Sequence, residues 1–325
     1  MKFITSCILI MIPVFNDWKS LAILLVNLDE ALNEENIRVE ILVIDDASSI
    51  PIEGSLIIST FKIIEKVNIL ELRRNLGHQR AITIGLAYVE ANIACKAVVV
   101  MDGDGEDAPN DVLRLIHQCE QERYKKVVFA RRTQRSESLI FKLFYIIYKL
   151  LYKLLTGQDI RVGNFSIIPY DILRRLVVVS EIWNHYAAGL IKAKVPYTEV
   201  STKRSIRLYG QSKMNFVLLV THGLSAIAVH GDIVGVRLLI ASCFLIFLTF
   251  ISIVVVIGIK FNTSLAIPGW TSYLATLFLI IILQAFMLSI LLIFVVLVGR
   301  NNTSFLPQRD YNFFVLGLQE IYSKL

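Results

Sequence analysis

The stretch Val98-Val-Val-Met-Asp-Gly-Asp-Gly-Glu-Asp-Ala-Pro109 joins a short apolar run to a cluster of four carboxylates. The β-branched run predicts a buried strand, and the polar residues after it predict a turn at the carboxyl end of that strand. Asp102 and Asp104 are two residues apart, so extended backbone puts both carboxylates on one face, and the intervening glycines allow the chain to turn. Carboxylate oxygens suit hard cations, which indicates a site for Mg²⁺ or Mn²⁺ held by these two aspartates.

Two other interpretations fit parts of this stretch. A calcium-binding EF-hand loop needs glycine at its sixth position and glutamate at its twelfth, where this chain has Asp107 and Leu113, so we exclude it. A solvated acidic turn before a helix stays open as an alternative, because a helix N-terminus favours nearby carboxylates.

The surrounding sequence alternates strand and helix patterns. Short apolar runs predict strands at residues 8–12, 39–44, 67–72, 97–101 and 126–130, and periodic apolar residues predict helices at 17–32, 77–90 and 110–122. This order predicts an α/β fold with an open, mostly parallel sheet and flanking helices. Ligands of such sheets bind beyond the carboxyl ends of the strands, where segments 13–17, 45–48 and 102–107 would lie together. Segment 13–17 has no glycine, which excludes a Rossmann dinucleotide fold, and the chain has no P-loop.

The C-terminal half is too apolar for an ordinary soluble enzyme. The chain is 55% hydrophobic and 18% charged, and residues 270–298 carry no charge while residues 236–259 carry only Arg237. Each run is long enough to cross a hydrocarbon core of about 30 Å, so we predict two transmembrane helices. Basic residues flank the pair on the outside, whereas the connecting loop has only Lys260, which predicts that both ends of the chain are cytoplasmic.

These patterns predict four parts and a location. The parts are a cytoplasmic catalytic domain at 1–208, a juxtamembrane amphipathic segment at 209–235, two transmembrane helices within 236–299 and a cytoplasmic tail at 300–325. The expected location is the inner (plasma) membrane, with a multi-pass topology. The scattered cysteines indicate neither a disulfide framework nor a zinc site, and the five histidines lack metal-ligand spacing, so we interpret them as polar surface or interface residues.

Five motifs, in order, resemble those of family 2 glycosyltransferases with the GT-A fold. They are Pro13-Val-Phe-Asn-Asp17, Val43-Ile-Asp-Asp-Ala-Ser48, Arg74-Asn-Leu-Gly-His-Gln-Arg80, the Asp102 stretch and Arg132-Thr-Gln-Arg135. The resemblance covers about the first 215 residues. With the two C-terminal spans it points to the membrane-anchored branch that resembles dolichol-phosphate mannose synthase and bacterial polyprenyl-phosphate glycosyltransferases.

The resemblance implies roles for particular residues. Asp102 and Asp104 match the Asp-x-Asp signature that holds a metal against the donor diphosphate, and Asp107 is grouped with them as catalytic. The residues expected to bind the nucleotide sugar are Pro13, Phe15, Asp17, Asp45, Asp46, Arg80, Arg132 and Arg135. A later segment resembles the Arg-x-x-Gly-x-Ser-Lys pattern of the branch, so Arg207, Ser212 and Lys213 are expected to hold an acceptor phosphate.

The resemblance therefore implies a metal-dependent, inverting transfer of a sugar from a nucleotide sugar to a polyprenyl phosphate for cell-envelope glycan synthesis. One alternative is transfer to a hydroxyl of a lipid-linked or envelope oligosaccharide, with Asp107 or Glu181 as the base. Another is a catalytically silent membrane scaffold with a degenerate transferase domain. We expect no nucleic-acid partner, and homo-oligomerisation stays open. The chain departs from the branch at Glu106, Ala108 and Asp17, and at Asn164 and Ser166 within a Gly-Asp-Phe-Arg-like segment.

Overall fold

The computed structural model describes residues 7–52, 60–132, 139–159, 162–210, 216–262, 269–301 and 305–324. The chain divides into two units, which are described separately. The first comprises residues 1–145, 160–229 and 304–325, and the second comprises residues 146–159 and 230–303.

The first unit is built on one mixed sheet. Its strands are β1 (Ile8–Val14), β2 (Val39–Asp45), β3 (Ile64–Leu72), β4 (Ala97–Val100), β5 (Val127–Arg132), β6 (Ser166–Pro169), β7 (Tyr197–Thr202) and β8 (Val315–Ser323). Among the described residues they lie in the order β7-β5-β6-β4-β1-β2-β3-β8. β1 runs parallel to β2 and β4, and β2 runs parallel to β3, whereas β6 is antiparallel to both of its neighbours and β8 is antiparallel to β3. The predicted α/β fold is thus confirmed.

Helices cover both faces of this sheet. They are α1 (Trp18–Asn33), α2 (His78–Asn92), α3 (Pro109–Gln121) and α5 (Tyr170–Leu176). The chain also forms α4 (Leu139–Thr156), α6 (Tyr186–Lys192) and α7 (Phe216–Val229), of which α6 and α7 pack against each other. Every residue of the central strand β1 is buried; Ile8, Ile10 and Ile12 pack with α1 and α3, and Leu9 and Met11 pack with α2. A strand that is buried on both faces has a continuous run of apolar residues in its sequence, and this run made β1 predictable.

A close approach fixes the position of α2 on the sheet. A Cβ atom added at Gly85 would lie 2.5 Å from Sδ of Met11 and 2.8 Å from Cδ1 of Ile44. These distances are below van der Waals contact, so only glycine lets the helix lie this near to β1 and β2. The N-terminus of α2 is thereby set at the carboxyl end of those two strands.

The predicted strands and the first three predicted helices agree with the structure to within three residues at each end. The sequence did not indicate β6, β7 or β8. β6 has only four residues, and the mostly half-exposed or exposed residues of β7 and β8 lack the apolar run of a buried strand. β8 lies in the segment that we interpreted as a tail at 300–325, and it pairs with β3 from Leu72↔Val315 to Lys66↔Ser323.

The second unit contains two long apolar helices, α8 (Gly231–Asn262) and α9 (Trp270–Asn301), which pack against each other. Both are long and apolar enough to cross a membrane, with a mean hydropathy of 3.0 in their most apolar windows. The buried residues of α8 are Gly235, Ser242, Thr249 and Val256, which recur every seven residues, while large apolar side chains such as Phe247 and Phe250 are exposed. Small residues inside and large apolar residues outside are typical of helix pairs in lipid. After α9 come α10 (Pro307–Asp310) and β8 of the first unit.

Candidate active site

Polar side chains converge at one edge of the sheet. β1, β2, β3 and β4 are parallel, and β5 and β7 run in the same direction, so the carboxyl ends of all six strands lie along this edge. The segments that follow these strands contain Asp17, Asp46, His78, Asp102–Asp107 and Arg207; Arg132 is the last residue of β5, and Asn164 precedes β6 at the same edge. The sheet therefore assembles groups that are as far as 190 positions apart in the chain, as in the ion pair of Asp17 with Arg207.

The loop after β4 is held by its own carboxylates. Asp107 is buried, and its Oδ2 accepts a hydrogen bond from the backbone N–H of Asp102 at 3.0 Å, while its Oδ1 accepts one from Nη2 of Arg132 at 2.9 Å. Oδ1 of Asp104 accepts from the backbone N–H of Glu106 at 3.0 Å. Burial, reinforced by the negative charge of Asp102, raises the pKa of Asp107 to about 7. Asp107 thus shapes the loop, and its position is not that of a base open to a substrate.

Asp102 lies against a chain of side chains that runs to α6. The backbone N–H of Tyr186 donates to Oε1 of Gln79 at 2.7 Å, so Nε2 of Gln79 faces Oδ1 of Asn164, at 3.1 Å. The amide of Asn164 therefore presents Nδ2 to Nε2 of His78, at 3.0 Å. Nε2 of His78 also lies 3.1 Å from Oδ1 of Asp102.

These contacts set the protonation of the cluster. Burial alone would raise the pKa of Asp102, but the neighbouring His78 and Arg132 outweigh it and lower the pKa below its ordinary value. Partial desolvation opposes protonation of His78, but the charge of Asp102 raises the pKa of the imidazole. Burial and the charge of Asp102 raise the pKa of Asp104. Of Asp102, Asp104 and Asp107, Asp102 is thus the one whose pKa is lowered and which stays ionised.

The geometry at Asp102 fits a cation. Its Oδ1 is buried and has no donor in hydrogen-bonding alignment among the described residues, even though His78 lies close. An ionised oxygen that lies beside His78 but accepts no aligned hydrogen bond is suited to a hard divalent ion. Within the same residues no group of three or more His, Cys, Asp or Glu side chains could hold a metal ion alone. Such an ion would need further oxygens from water and from a ligand such as a diphosphate, as Mg²⁺ commonly does.

Asp104 is paired with an arginine from the segment after β7. Nη1 of Arg207 donates to Oδ2 of Asp104 at 2.9 Å, and Nη2 of Arg207 donates to Oδ2 of Asp17. Arg204, in the same segment, pairs with Glu106 through Nε at 2.8 Å. Two arginines of one segment therefore hold two acidic residues of the loop after β4.

The other residues predicted to bind the nucleotide sugar differ in their surroundings. Pro13 is buried in β1, Phe15 is exposed beyond it, and Oδ1 of Asp45 accepts from the backbone N–H of Ser48 at 2.9 Å. The guanidinium of Arg80 lies 5.0 Å from the centre of the Trp183 ring. Arg135, Ser212 and Lys213 lie outside the described residues.

Asp46 has a structural position rather than an open one. Its carboxylate is buried and accepts from the backbone N–H groups of Leu76 at 2.7 Å and Gly77 at 2.9 Å, directly before α2. Both oxygens are therefore used to fix the loop that leads to His78. Of the two aspartates at the end of β2, only Asp45 is half-exposed at the edge of the sheet.

We expect Asp46→Ala to lower the free energy of unfolding by about 2 kcal/mol, because two buried backbone N–H groups lose their acceptors. Asp46→Asn retains one acceptor oxygen and should lose about half as much. Thermal or chemical unfolding of the two purified variants measures both values. Equal stability of Asp46→Ala and wild type would show that the loop before α2 does not depend on this carboxylate.

A pair of histidines lies on the α6 and α7 side of this edge. The rings of His185 and His222 are 4.5 Å apart, and Nδ1 of His185 accepts from the backbone N–H of Ala188, which caps α6. Burial, reinforced by His222, lowers the pKa of His185 to about 3, and burial also lowers the pKa of His222. His185 is therefore neutral in the folded protein over the range in which an unfolded chain would protonate it.

Stability should consequently fall on acidification from about pH 6.5 toward pH 3. In this window the unfolded state binds a proton at His185 that the folded state does not, so the stability present above pH 6.5 is progressively lost. His185→Asn keeps a capping acceptor but does not titrate, and it should reduce the slope. Melting temperatures of both proteins between pH 7.5 and pH 5 test this, and identical slopes would contradict it.

Sequence reasoning missed part of this arrangement. His78 was interpreted as a polar surface or interface residue, yet it is the neighbour of Asp102, and Gln79 was not singled out. Their position could have been found, because both follow β3 and begin α2, which places them at the edge where ligands of parallel sheets bind. The pairing of Arg204 with Glu106 gave no sequence signal.

Comparisons with known proteins agree with the fold. The Glycosyl transferase family 2 model matches residues 9–178. The chain is 27% identical over 302 residues to the uncharacterized glycosyltransferase YkcC of Bacillus subtilis, covering 90% of this chain and 87% of that protein. It is 25% identical over 216 residues to undecaprenyl-phosphate 4-deoxy-4-formamido-L-arabinose transferase of Photorhabdus laumondii, covering 65% and 64%.

A solved structure is similar in fold. Glucosyl-3-phosphoglycerate synthase from Mycobacterium tuberculosis has a TM-score of 0.50 and 13% identity, and the match covers 71% of this chain and 79% of that one. The matched family segment runs from β1 to just beyond α5 and contains the carboxylates after β2 and β4. The chain therefore belongs to glycosyl transferase family 2, as a nucleotide-sugar glycosyltransferase with the GT-A fold.

Proposed function

We propose that this protein transfers a sugar, with inversion, from a nucleoside diphosphate sugar to a polyprenyl phosphate, with Mg²⁺ or Mn²⁺ at Asp102 and Asp104. The observation that carries the proposal is the ionised Asp102 with a buried oxygen that lacks an aligned donor, next to Asp104 at the ligand-binding edge of the sheet. A divalent ion bound there would neutralise charge on the departing diphosphate. The glucosyl-3-phosphoglycerate synthase from Mycobacterium tuberculosis, which is similar in fold, was crystallised with Mn²⁺, uridine diphosphate and phosphoglyceric acid.

The residues of the chain would bind and orient the donor. Phe15 and Asp45 border the edge beyond β1 and β2, where the base and ribose would lie, with Pro13 beneath them. Arg132, tied to Asp107, and Arg135 would stabilise the negative charge that develops on the diphosphate. Asp107 and Arg132 together would keep the loop that carries Asp102 and Asp104 in place during the transfer.

A relative supports the assignment of a lipid phosphate as the acceptor, and so do the surroundings of the two side chains that could act as a base for a hydroxyl acceptor. The Photorhabdus laumondii relative is named for undecaprenyl phosphate. A phosphate monoester is mostly a dianion at neutral pH, so it needs to be positioned but not deprotonated. A hydroxyl acceptor would need a base, and Asp107 is buried while Glu181 lies 3.2 Å from Nζ of Lys192. Arg207, Ser212 and Lys213 would hold the acceptor phosphate.

The proposed location is the cytoplasmic leaflet of the plasma membrane, with α8 and α9 as a transmembrane pair. The chain leaves the first unit after α7 and returns to its sheet as β8, which suits an even number of crossings. α7 adds an apolar exposed face at Val217, Val220 and Leu224, suited to the membrane surface. A protease added outside intact cells should leave the first unit uncut. Digestion of the first unit would show that it lies on the outer side of the membrane and that the proposed orientation is wrong.

Transfer with purified components tests the proposed reaction. The full-length protein in nanodiscs is screened for Mn²⁺-dependent binding of uridine, guanosine and thymidine diphosphate sugars, and the bound sugar is then radiolabelled and supplied with undecaprenyl phosphate. We expect label in an acid-labile lipid product. Label in an oligosaccharide alone would support the hydroxyl acceptor, and no metal-dependent nucleotide binding to any donor would support the silent scaffold.

A further inference from the structure

Arg207 joins two carboxylates that the proposed function assigns to the donor side. Its Nη1 lies 2.9 Å from Oδ2 of Asp104, its Nη2 contacts Oδ2 of Asp17, and its Nε donates to the backbone oxygen of Tyr209 at 2.9 Å. The side chains of all three charged residues are only 17% to 20% exposed. The guanidinium therefore already acts as the cation between these two carboxylates.

The backbone holds this arginine in place. The N–H of Leu208 donates to the backbone oxygen of Asp104 at 3.0 Å, and the N–H of Ser205 donates to that of Glu106 at 2.9 Å. Gly105 has φ +82°, and a Cβ there would lie 2.3 Å from Cγ of Leu208. Segment 203–210 and the loop after β4 thus lie in direct contact. Two backbone hydrogen bonds and one apolar contact therefore fix the position of Arg207 relative to Asp104.

A divalent ion and this guanidinium compete for one oxygen. Oδ1 of Asp104 accepts from the N–H of Glu106 and Oδ2 accepts from Nη1 of Arg207, so a divalent ion bound through Oδ2 would share that oxygen with the guanidinium. Two positive groups on one carboxylate oxygen repel each other at this burial. Release of Arg207 from Asp104 would relieve this repulsion.

We propose that Arg207 is an internal counterion that a divalent ion displaces from Asp104, and that the displaced guanidinium then takes the phosphate of the acceptor. This rests on the proposed function for the identity of the acceptor. An acceptor phosphate that captured Arg207 before the ion had bound would leave Asp104 and Asp17 without a counterion, which is unfavourable. The ion and the acceptor thus favour each other's binding, and this coupling is reciprocal.

The test is the variant Arg207→Gln, which should bind Mn²⁺ more tightly and the acceptor phosphate more weakly. Without the competing guanidinium, Mn²⁺ should bind about tenfold more tightly, a factor typical of one lost charged hydrogen bond that is partly solvated. The KM for undecaprenyl phosphate should rise at least about tenfold, because a bidentate phosphate contact is lost. Free Mn²⁺ is measured by electron paramagnetic resonance with full-length protein in nanodiscs, first with Mn²⁺ alone and then with uridine diphosphate added.

Two variants control for charge and for loosening of the segment. Arg204→Gln removes the same charge from the same segment, but its partner is Glu106, so Mn²⁺ affinity should change less than about twofold. Arg207→Lys keeps the charge without the fork that reaches both carboxylates, and should be intermediate. Circular dichroism and melting temperature establish that each variant is folded.

The outcomes separate this inference from the proposed function. Unchanged or weaker Mn²⁺ binding in Arg207→Gln, while the wild type still forms the lipid product, overturns the displacement and leaves the proposed function intact. Equal tightening in Arg204→Gln and Arg207→Gln would show a general charge effect and would also overturn it. If the wild type forms no product on undecaprenyl phosphate, the acceptor assignment fails, whatever the Mn²⁺ affinities.

Discussion

Replacing Asp104 with asparagine should reduce sugar transfer at least about 1,000-fold, with a loss of the metal-dependent part of nucleotide binding. Asparagine keeps the size of the side chain but removes the anionic oxygen that a hard cation needs. Asp102→Asn should have an equal or larger effect, because Asp102 is the carboxylate whose pKa is lowered and which is therefore ionised. Radiolabelled transfer and calorimetry of nucleotide binding with and without Mn²⁺ measure the two consequences.

The fold should survive the loss of Asp104. Burial and the neighbouring Asp102 raise the pKa of Asp104, so this charge is held at some cost to stability, as is common at functional sites. We expect a melting temperature at or near that of the wild type. Asp171→Asn, on the exposed side of α5, removes the same charge away from the site and serves as the matched control. An Asp104→Asn protein that keeps more than about a tenth of wild-type transfer would place the metal elsewhere.

The second large effect is on stability. Arg132→Met should lower the free energy of unfolding by about 2 to 3 kcal/mol, because it leaves the buried carboxyl of Asp107 without its charged partner. The Asp107 side chain is only 2% exposed but that of Arg132 is 31% exposed, so a loss at or below the lower end of the usual range of about 3 to 5 kcal/mol for broken buried pairs is expected. Chemical unfolding of the wild type and the variant gives the value.

A double variant shows whether the unpaired charge is the cause. Arg132→Met combined with Asp107→Asn removes both ionisable groups and should recover part of the lost stability above the raised pKa of Asp107, where the single variant keeps an uncompensated carboxylate. The backbone N–H of Asp102 would keep an acceptor in the asparagine oxygen. If the losses of unfolding free energy in Arg132→Met and in Asp107→Asn simply add up in the double variant, the two side chains act independently and the ion pair contributes nothing specific to the loop.

Much of the fold could be predicted because its elements are read from local patterns. β1, β2 and β4 are apolar throughout or nearly so, and α1 has the apolar spacing of Leu21, Leu24, Leu25, Leu28 and Leu32. The long apolar helices α8 and α9 were equally clear from composition. β8 could not be predicted, because an edge strand buries little and its pairing with β3 joins residues about 250 positions apart.

The same limit applies to the candidate site. From local patterns the sequence predicted carboxylates and an arginine-containing motif after apolar strands, and therefore a ligand site at one edge of a parallel sheet, and the resemblance implied that the ligand is a nucleotide sugar. Only the tertiary structure decided which side chains meet there. It paired Asp104 with Arg207 across 103 positions and Asp102 with His78, and it used both oxygens of Asp46 to fix the loop before α2. Ion pairs and hydrogen bonds act over a few ångströms, so these pairings depend on which loops the order of the strands in the sheet brings into contact. A local sequence pattern does not determine which distant loops come together.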